Sequence, residues 1–400
     1  MLTKKNKQSF LDIKSTSLLK KFHKTLKIQK ENKRQKKTYK KTYTHIIEYI
    51  FAKTDLEQWT YQDIYKLLSA TTQNSNCMID IMMYTKNFAS FIHIENGKHK
   101  IVQISPNSFF SVKTFQNFIE IVKKNQKKKK YQEKYENLNS VFVFGGHCNG
   151  WKCYTDDYTV DFEMIYHTFI KNNMKFNAIC FDCCYSSTFE LLYQFHDLTD
   201  YIIAHQSYVY GNGFNTRNLS KIFDVIDVNN NISFIEKLII LCMDYLVRTI
   251  DEENEYSNFT IIDTYYYKDF LKLFKENYQT ILDVIHNKKS KKFLSDVCNK
   301  CLIGNNKNNN NNVDINIDGK NNEPSVYNNM LDLYSVLKIL GNKKMIELYK
   351  KSIFYRENDI KKDGKYFNQN TKLNGINIII NPPDSKLNKH YLNLRFLKDF

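Results

Sequence analysis

Two short segments of this 400-residue chain join an apolar run to reactive side chains. Residues 141–151 read VFVFGGHCNGW, an apolar run and two glycines leading into His147 and Cys148. Residues 178–187 read AICFDCCYSS, an apolar run leading into Asp182, Cys183 and Cys184. An imidazole and a thiol that meet can act as base and nucleophile, because thiolate is the reactive form and a nearby imidazolium populates it. Alternation along an extended chain separates the two adjacent thiols. Cys183 shares its side with Ile179 and Phe181 and points to the core. Cys184 shares its side with Cys180 and Asp182 and points to a polar opening, so Cys184 is the candidate nucleophile and His147 its partner. Helical sequence read as starting directly after Cys184 adds a positive helix end that favours the thiolate. His205, after the next apolar run, is the better substitute base; His167, inside a predicted helix, is the weaker.

Strands alternating with helices would deliver both segments to one edge. Apolar runs at 78–84, 100–104, 141–144, 177–181 and 201–204 read as strands. Residues 45–53, 61–68, 111–122, 161–172, 185–195 and 216–227 read as helices, with the lysine run 123–130 as an exposed loop. This alternation implies an α/β fold with a mainly parallel sheet covered by helices on both faces. In such a sheet the C-terminal strand ends open onto one edge, where ligands bind. The C-terminal half is more helical: Ile232, Ile235, Leu238, Ile239, Cys242, Leu246 and Val247 make one apolar face, and 327–340 reads as a further helix. The run 375–380 reads as a late strand of the same sheet.

Composition sets the boundaries. The chain holds 59 Lys and Arg against 42 Asp and Glu, a net charge of +17. Residues 1–42 carry 15 basic and two acidic side chains, or +13, which leaves +4 for the other 358. A basic extension on a near-neutral body argues against a protein coated throughout by nucleic acid. The domain reading is a flexible extension over 1–44 and a single domain over 45–400, interrupted by a disordered Asn-rich insertion at 304–323. A solvated tail is the first reading of residues 1–42; a surface for nucleic acid or anionic membrane is the second. The longest apolar run, Leu238 to Met243, is far below the roughly 18–20 residues of a membrane span. No secretory leader is visible and the nine cysteines are an odd number, so an intracellular, cytoplasmic protein with free thiols is expected.

The two segments carry a resemblance. GGHCNGW and FDCC are similar to the HGSGW-like and DAC motifs of the clostripain-like cysteine peptidases, relatives of caspases, gingipains and legumain. SVKTFQNFIEIV (111–122) resembles the helix before that family's His strand. TFELLYQFHDLTDYIIA (188–204) resembles the helix and strand after its Cys. YGNGF (210–214) resembles its PGDGW-like turn, and DLYSVLKIL and LNGINIIINPP resemble its distal helix and final strand. The likeness runs over about residues 75–400 in the family's order.

The resemblance implies a caspase-like fold and a cysteine endopeptidase with a His147–Cys184 dyad and no required third member. It implies an oxyanion hole from the backbone N–H groups of Cys148 and Cys184, and a Lys- or Arg-binding site from Asp182 and Asn212. Two positions depart from the pattern: Cys148 stands where the family has Gly, and Asn212 where it has an acid. A single carboxylate is a weaker attraction for a basic side chain. The interval from His147 to Cys184 (184 − 147 = 37 residues) is short, and obligatory self-cleavage within it is not expected. No cofactor is required. Calcium dependence occurs among relatives, although the sequence shows no ligand cluster for it. A second class of reading, zinc on His147, Cys148, Cys153, Cys180, Cys183 and Cys184, or on the CxxC of Cys298 and Cys301, lacks the paired half-sites that zinc uses, so no metal site is assigned. The alternative function is a catalytically degenerate scaffold acting through the basic tail. The expected partner is a peptide or protein substrate of a monomeric enzyme.

Overall fold

The computed structural model describes residues 42–69, 77–86, 89–95, 98–104, 112–130, 137–150, 152–154, 159–206, 209, 213, 233–248, 258–287, 330–357, 374–379 and 395–399. The chain divides into Met1–Lys40 and Lys41–Phe400, and the first unit lies outside these residues. So do the expected helix 216–227, the Asn-rich stretch 304–323, Asn212, Cys298 and Cys301.

The larger unit opens with β1 (Thr42–Phe51), α1 (Glu57–Ser69), β2 (Cys77–Tyr84), β3 (Ala89–Glu95), β4 (Lys98–Ile104), α2 (Val112–Lys130) and β5 (Asn137–Gly146). Three short strands form a separate small antiparallel sheet: β6 (Cys148–Asn149), β7 (Lys152–Tyr154) and β8 (Thr159–Val160). The α/β alternation resumes with α3 (Phe162–Lys171), β9 (Phe176–Asp182), α4 (Phe189–Phe195), β10 (Thr199–Ala204) and α5 (Phe234–Arg248). Then come β11 (Phe259–Asp263), α6 (Thr264–Glu276), α7 (Tyr278–His286), β12 (Met330–Asp332), α8 (Leu333–Leu340) and α9 (Lys343–Ser352). The last elements are β13 (Ile353–Glu357), β14 (Asn377–Ile379) and α10 (Arg395–Asp399).

The main sheet has nine strands in the order β13-β11-β10-β9-β5-β1-β2-β3-β4. Its middle, from β10 to β2, is parallel, and antiparallel strands extend both edges. Consecutive residues Ile46, Ile47, Glu48 and Tyr49 of β1 are all buried, so helices or loops cover both faces. This is the mainly parallel, helix-flanked α/β architecture that the alternation predicts.

Several elements differ from the reading of the sequence. Residues 45–53 form most of β1, not a helix. A strand buried on both faces carries a continuous apolar run, which periodicity alone does not separate from a buried helix; its β-branched and aromatic residues favour the strand. The lysine run 123–130 continues α2 instead of looping, because lysine is a good helix former and needs no buried face there. The late strand β14 pairs with β12 in its own two-stranded sheet, and β13 takes the edge of the main sheet. β12 also occupies part of the expected helix 327–340, which begins only at Leu333, where Asp332 caps it by accepting from Ser335 N at 2.9 Å.

One charged cluster lies inside the sheet. Asp80 of β2, fully buried, receives His45 Nε2 at 2.9 Å, His93 Nδ1 at 2.6 Å and Asn125 Nδ2 at 3.0 Å. These four side chains join β1, β2, β3 and α2. Hydrogen bonds from both imidazoles outweigh burial and hold the Asp80 carboxyl far below the usual range. Asp80, and Glu95 to a lesser degree, raise His93 to about 9.

Candidate active site

The order of the parallel strands already locates an opening. From β1 the chain runs outward to β2 on one side; from β5 it runs outward to β9 and β10 on the other. The adjacent strands β1 and β5 therefore flank the topological switch point, where the loops after their C-terminal ends part and leave a crevice.

His147 is the first residue past β5, whose Gly146 pairs with Phe51 of β1. The loop after β1 carries Asp55, and His147 Nε2 meets Asp55 Oδ1 at 2.6 Å. The imidazole is about one-third exposed (35%) and the carboxylate open to solvent (83%). The His147 hydrogen bond, opposed by partial burial, lowers the Asp55 carboxyl below its ordinary value. Asp55 was not legible as a site residue. With residues 45–53 read as helix it sat between two helices, whereas past the end of a parallel strand it is in the expected place for chemistry.

Cys184 is two residues past the end of β9, and β9 is parallel to β5 with Gly145 opposite Asp182. His147 and Cys184 thus each lie two residues beyond a paired position on neighbouring strands, which run roughly 4.8 Å apart. This register sets the two residues just beyond neighbouring strand ends. No hydrogen bond joins the two side chains; the sulfur instead faces the backbone of Val209. The separation of the twin cysteines follows the alternation: Cys183 is buried in the core and Cys184 is half-buried.

The chain after Cys184 does not enter a helix at once. α4 begins at Phe189 with Thr188 as its cap, so its positive end lies four residues beyond the thiol. The intervening turn is held by side-chain hydroxyls that compete with helical hydrogen bonding. Ser186 Oγ donates to Cys183 O at 2.9 Å and accepts from His205 N at 3.0 Å. Tyr185 takes a left-handed φ of 54°, an uncommon and costly state for a bulky residue, at a fully buried position. Asn377 N donates to Ser187 O at 2.8 Å, so β14 braces this turn from behind.

Val209 and Gly213 cover the thiol and Asp182. Val209 N donates to Cys184 Sγ at 3.2 Å. A Cβ on Gly213, where φ is 39°, would lie 2.8 Å from Asp182 Cγ, so only glycine allows this approach to the carboxylate. Burial, with the nearby Asp182 charge, pushes the Cys184 thiol up to about 11 against the lowering effect of Val209 N–H. The sequence suggested a lowered value; the covering backbone and the displaced helix reverse it. Alkylation of Cys184 by iodoacetamide is therefore expected to speed up about tenfold per pH unit from pH 7 to 10, following the thiolate fraction. A rate already level between pH 7 and 8 would show a thiol that ionises well below about 11.

The other candidates read from the sequence are held in different surroundings. His205 is fully buried, with Nδ1 on Asn258 O, and burial lowers it to about 4. His167 lies exposed on α3, near Glu163. Cys148 does not remain a thiol: it forms a disulfide with Cys153 across β6 and β7, contrary to the expectation that the cysteines are all free. Gly150, with φ 71°, lets this hairpin rest on the distal sheet, since a Cβ there would lie 2.9 Å from both Ile379 and Met330 side chains. Among the described residues the one group of three or more ligand atoms that all lie within 4.8 Å of one another is that of Cys148, Cys153 and Cys183. Calcium takes six to eight oxygen ligands, so these sulfurs do not suit it.

Solved structures share this mainly parallel, helix-flanked sheet. The chain is similar to a secreted C11 cysteine protease from Bacteroides thetaiotaomicron, "iotapain", at 14% identity and TM-score 0.57, covering 84% of this chain and 93% of that one. The same bacterium's secreted C11 protease in complex with an irreversible peptide inhibitor aligns over 90% of this chain and 99% of its own, at 14% identity and TM-score 0.58. An inactive zymogen C11 protease from Parabacteroides distasonis aligns at 17% identity and TM-score 0.57, over 91% and 99%. No protein-family model matches the sequence, and no curated protein matches it. The fold is thus that of the C11, clostripain-like cysteine proteases. The expectation of an intracellular, cytoplasmic, non-secreted protein is corrected here: the two matching Bacteroides thetaiotaomicron proteases are described as secreted, and the Cys148–Cys153 disulfide belongs to an oxidising setting. Among the described residues no helix is long and apolar enough to cross a membrane.

Proposed function

We propose that the chain is a cysteine endopeptidase in which Cys184 is the nucleophile and His147 the general acid and base. The observation that carries this reading is the register of β5 against β9, which brings His147 and Cys184 to equivalent places past adjacent parallel strands beside a switch-point crevice. In this reading the Cys184 thiolate attacks the scissile carbonyl carbon, and the backbone N–H groups of Cys148 and Cys184 receive the oxyanion. His147 protonates the departing amine, then takes a proton from the water that releases the acyl group. Asp55 on Nε2 leaves Nδ1 to exchange protons with the sulfur, so Asp55 is a positioning residue. Val209 must leave the sulfur as the peptide enters.

Asp182, half-buried beside Cys184, supports a preference for Lys or Arg before the scissile bond, with Asn212 as a second acceptor. A Lys- or Arg-directed acyloxymethyl ketone should label the wild type at Cys184 and leave Cys184→Ala unlabelled. Equal labelling of both, or none of a folded wild type, would reject the assignment. Active protein should also run as one intact band, because the 37-residue interval offers few basic sites. Two stable fragments cut between His147 and Cys184 would contradict that.

A further inference from the structure

The disulfide behind the dyad has a third sulfur beside it. Cys148 and Cys153 face each other across β6 and β7, and Cys183, the first residue past β9, brings its Sγ to the same point. The three sulfurs lie within 4.8 Å of one another. All three residues are buried, at 3%, 0% and 1% exposure, within the main hydrophobic core. No carboxylate or imidazole among the described residues completes the group. Sulfur donors in a dry pocket suit soft cations. Zinc in a structural site takes four ligands, and calcium or magnesium takes oxygens, so three sulfurs favour an ion of lower coordination.

We propose that Cys148, Cys153 and Cys183 form a thiolate site for one soft monovalent cation of the copper(I) type once the Cys148–Cys153 disulfide is reduced. A dithiol reductant supplies the two electrons and two protons that open the disulfide, and is itself oxidised to a disulfide. The cation then replaces the thiol protons, which pass to solvent, and bonds to the three sulfurs with no change in its own oxidation state. With the disulfide closed, two of the sulfurs are bonded to each other and the site does not exist. Redox state therefore gates binding. Cys148 follows His147 and Cys183 precedes Cys184, so an occupied site ties together the backbone on which both dyad residues stand.

The test uses full-length protein carrying Cys184→Ala, Cys298→Ala and Cys301→Ala, which removes the competing dyad and CxxC thiols. After dithiol reduction and removal of the reductant without air, copper(I) is titrated against a chromophoric chelator. One tightly held equivalent is expected, with X-ray absorption showing a shell of sulfur only. The unreduced protein, and the reduced protein with Cys183→Ala or Cys153→Ser added, should bind at least about 10²-fold more weakly. Thermal melts select the variants that fold, and the sulfur-only shell is judged on the parent protein without them. Absence of a bound equivalent after reduction, equal binding before reduction, nitrogen or oxygen in the shell, or full affinity in a folded Cys183→Ala variant would each overturn the proposal. The dyad thiol is absent throughout, so the result does not depend on the peptidase reading.

Discussion

Cys184→Ala is expected to lower kcat/KM on a peptide cleaved after Lys or Arg by about 10⁶-fold, as when a covalent protease loses its nucleophile. His147→Ala should cost about 10²- to 10⁴-fold, the range for a positioned acid–base group. Asp55→Asn should cost less, about tenfold. Its carboxylate is open to solvent, which screens its charge, so its contribution is orientation of the imidazole more than stabilisation of imidazolium. Its signature would be an altered pH profile with KM little changed. The control is Cys77→Ala, a buried cysteine on β2, which should keep full activity. Retained turnover in Cys184→Ala would assign the chemistry to another residue. Equal losses from Cys77→Ala would point to general damage to the fold.

Asp80→Ala should be the most destabilising of the single substitutions named here, by about 3–5 kcal/mol, the cost of removing one partner from a buried ion pair. The variant leaves buried His45 and part-buried His93 without their shared acceptor, and β2 loses its side-chain bonds to β1, β3 and α2. The pH dependence has two sides. His93 is raised to about 9, so its contribution is complete below the unfolded histidine value of about 6.5 and is lost as pH climbs through about 9. Asp80 is depressed, so its contribution is present above the ordinary carboxylate value and lost as pH falls below it. Urea melts of wild type and variant should differ most near pH 6 and converge toward pH 10. A difference under about 1 kcal/mol at pH 6, or one flat in pH, would show that the cluster contributes little.

Much of this site could be read before any coordinates. Apolar strands ending in His147 and in Asp182-Cys183-Cys184 placed both reactive groups on one edge, and period-two alternation sent Cys183 inward and Cys184 toward the opening. Those signals are local: strand propensity and side-chain parity depend on neighbours a few residues away. Asp55 was hidden because β1 is covered on both faces, and full burial erases the alternation that marks a strand. The delayed start of α4 was hidden too, because Ser186 and Ser187 find their partners in His205 and Gly375, far along the chain.

The sequence by itself determined the α/β class and the order in which the strands appear, and it nominated the nucleophile and base that the proposed function uses. These follow from periodicity and residue chemistry. Tertiary structure alone decided that Asp55 reaches His147, that the backbone of Val209 and Gly213 closes over Cys184 and Asp182, and that three cysteines from two segments share one pocket. Each depends on which strands become neighbours and on what burial then does to charge. Those are properties of the packed sheet, set by contacts between residues dozens of positions apart.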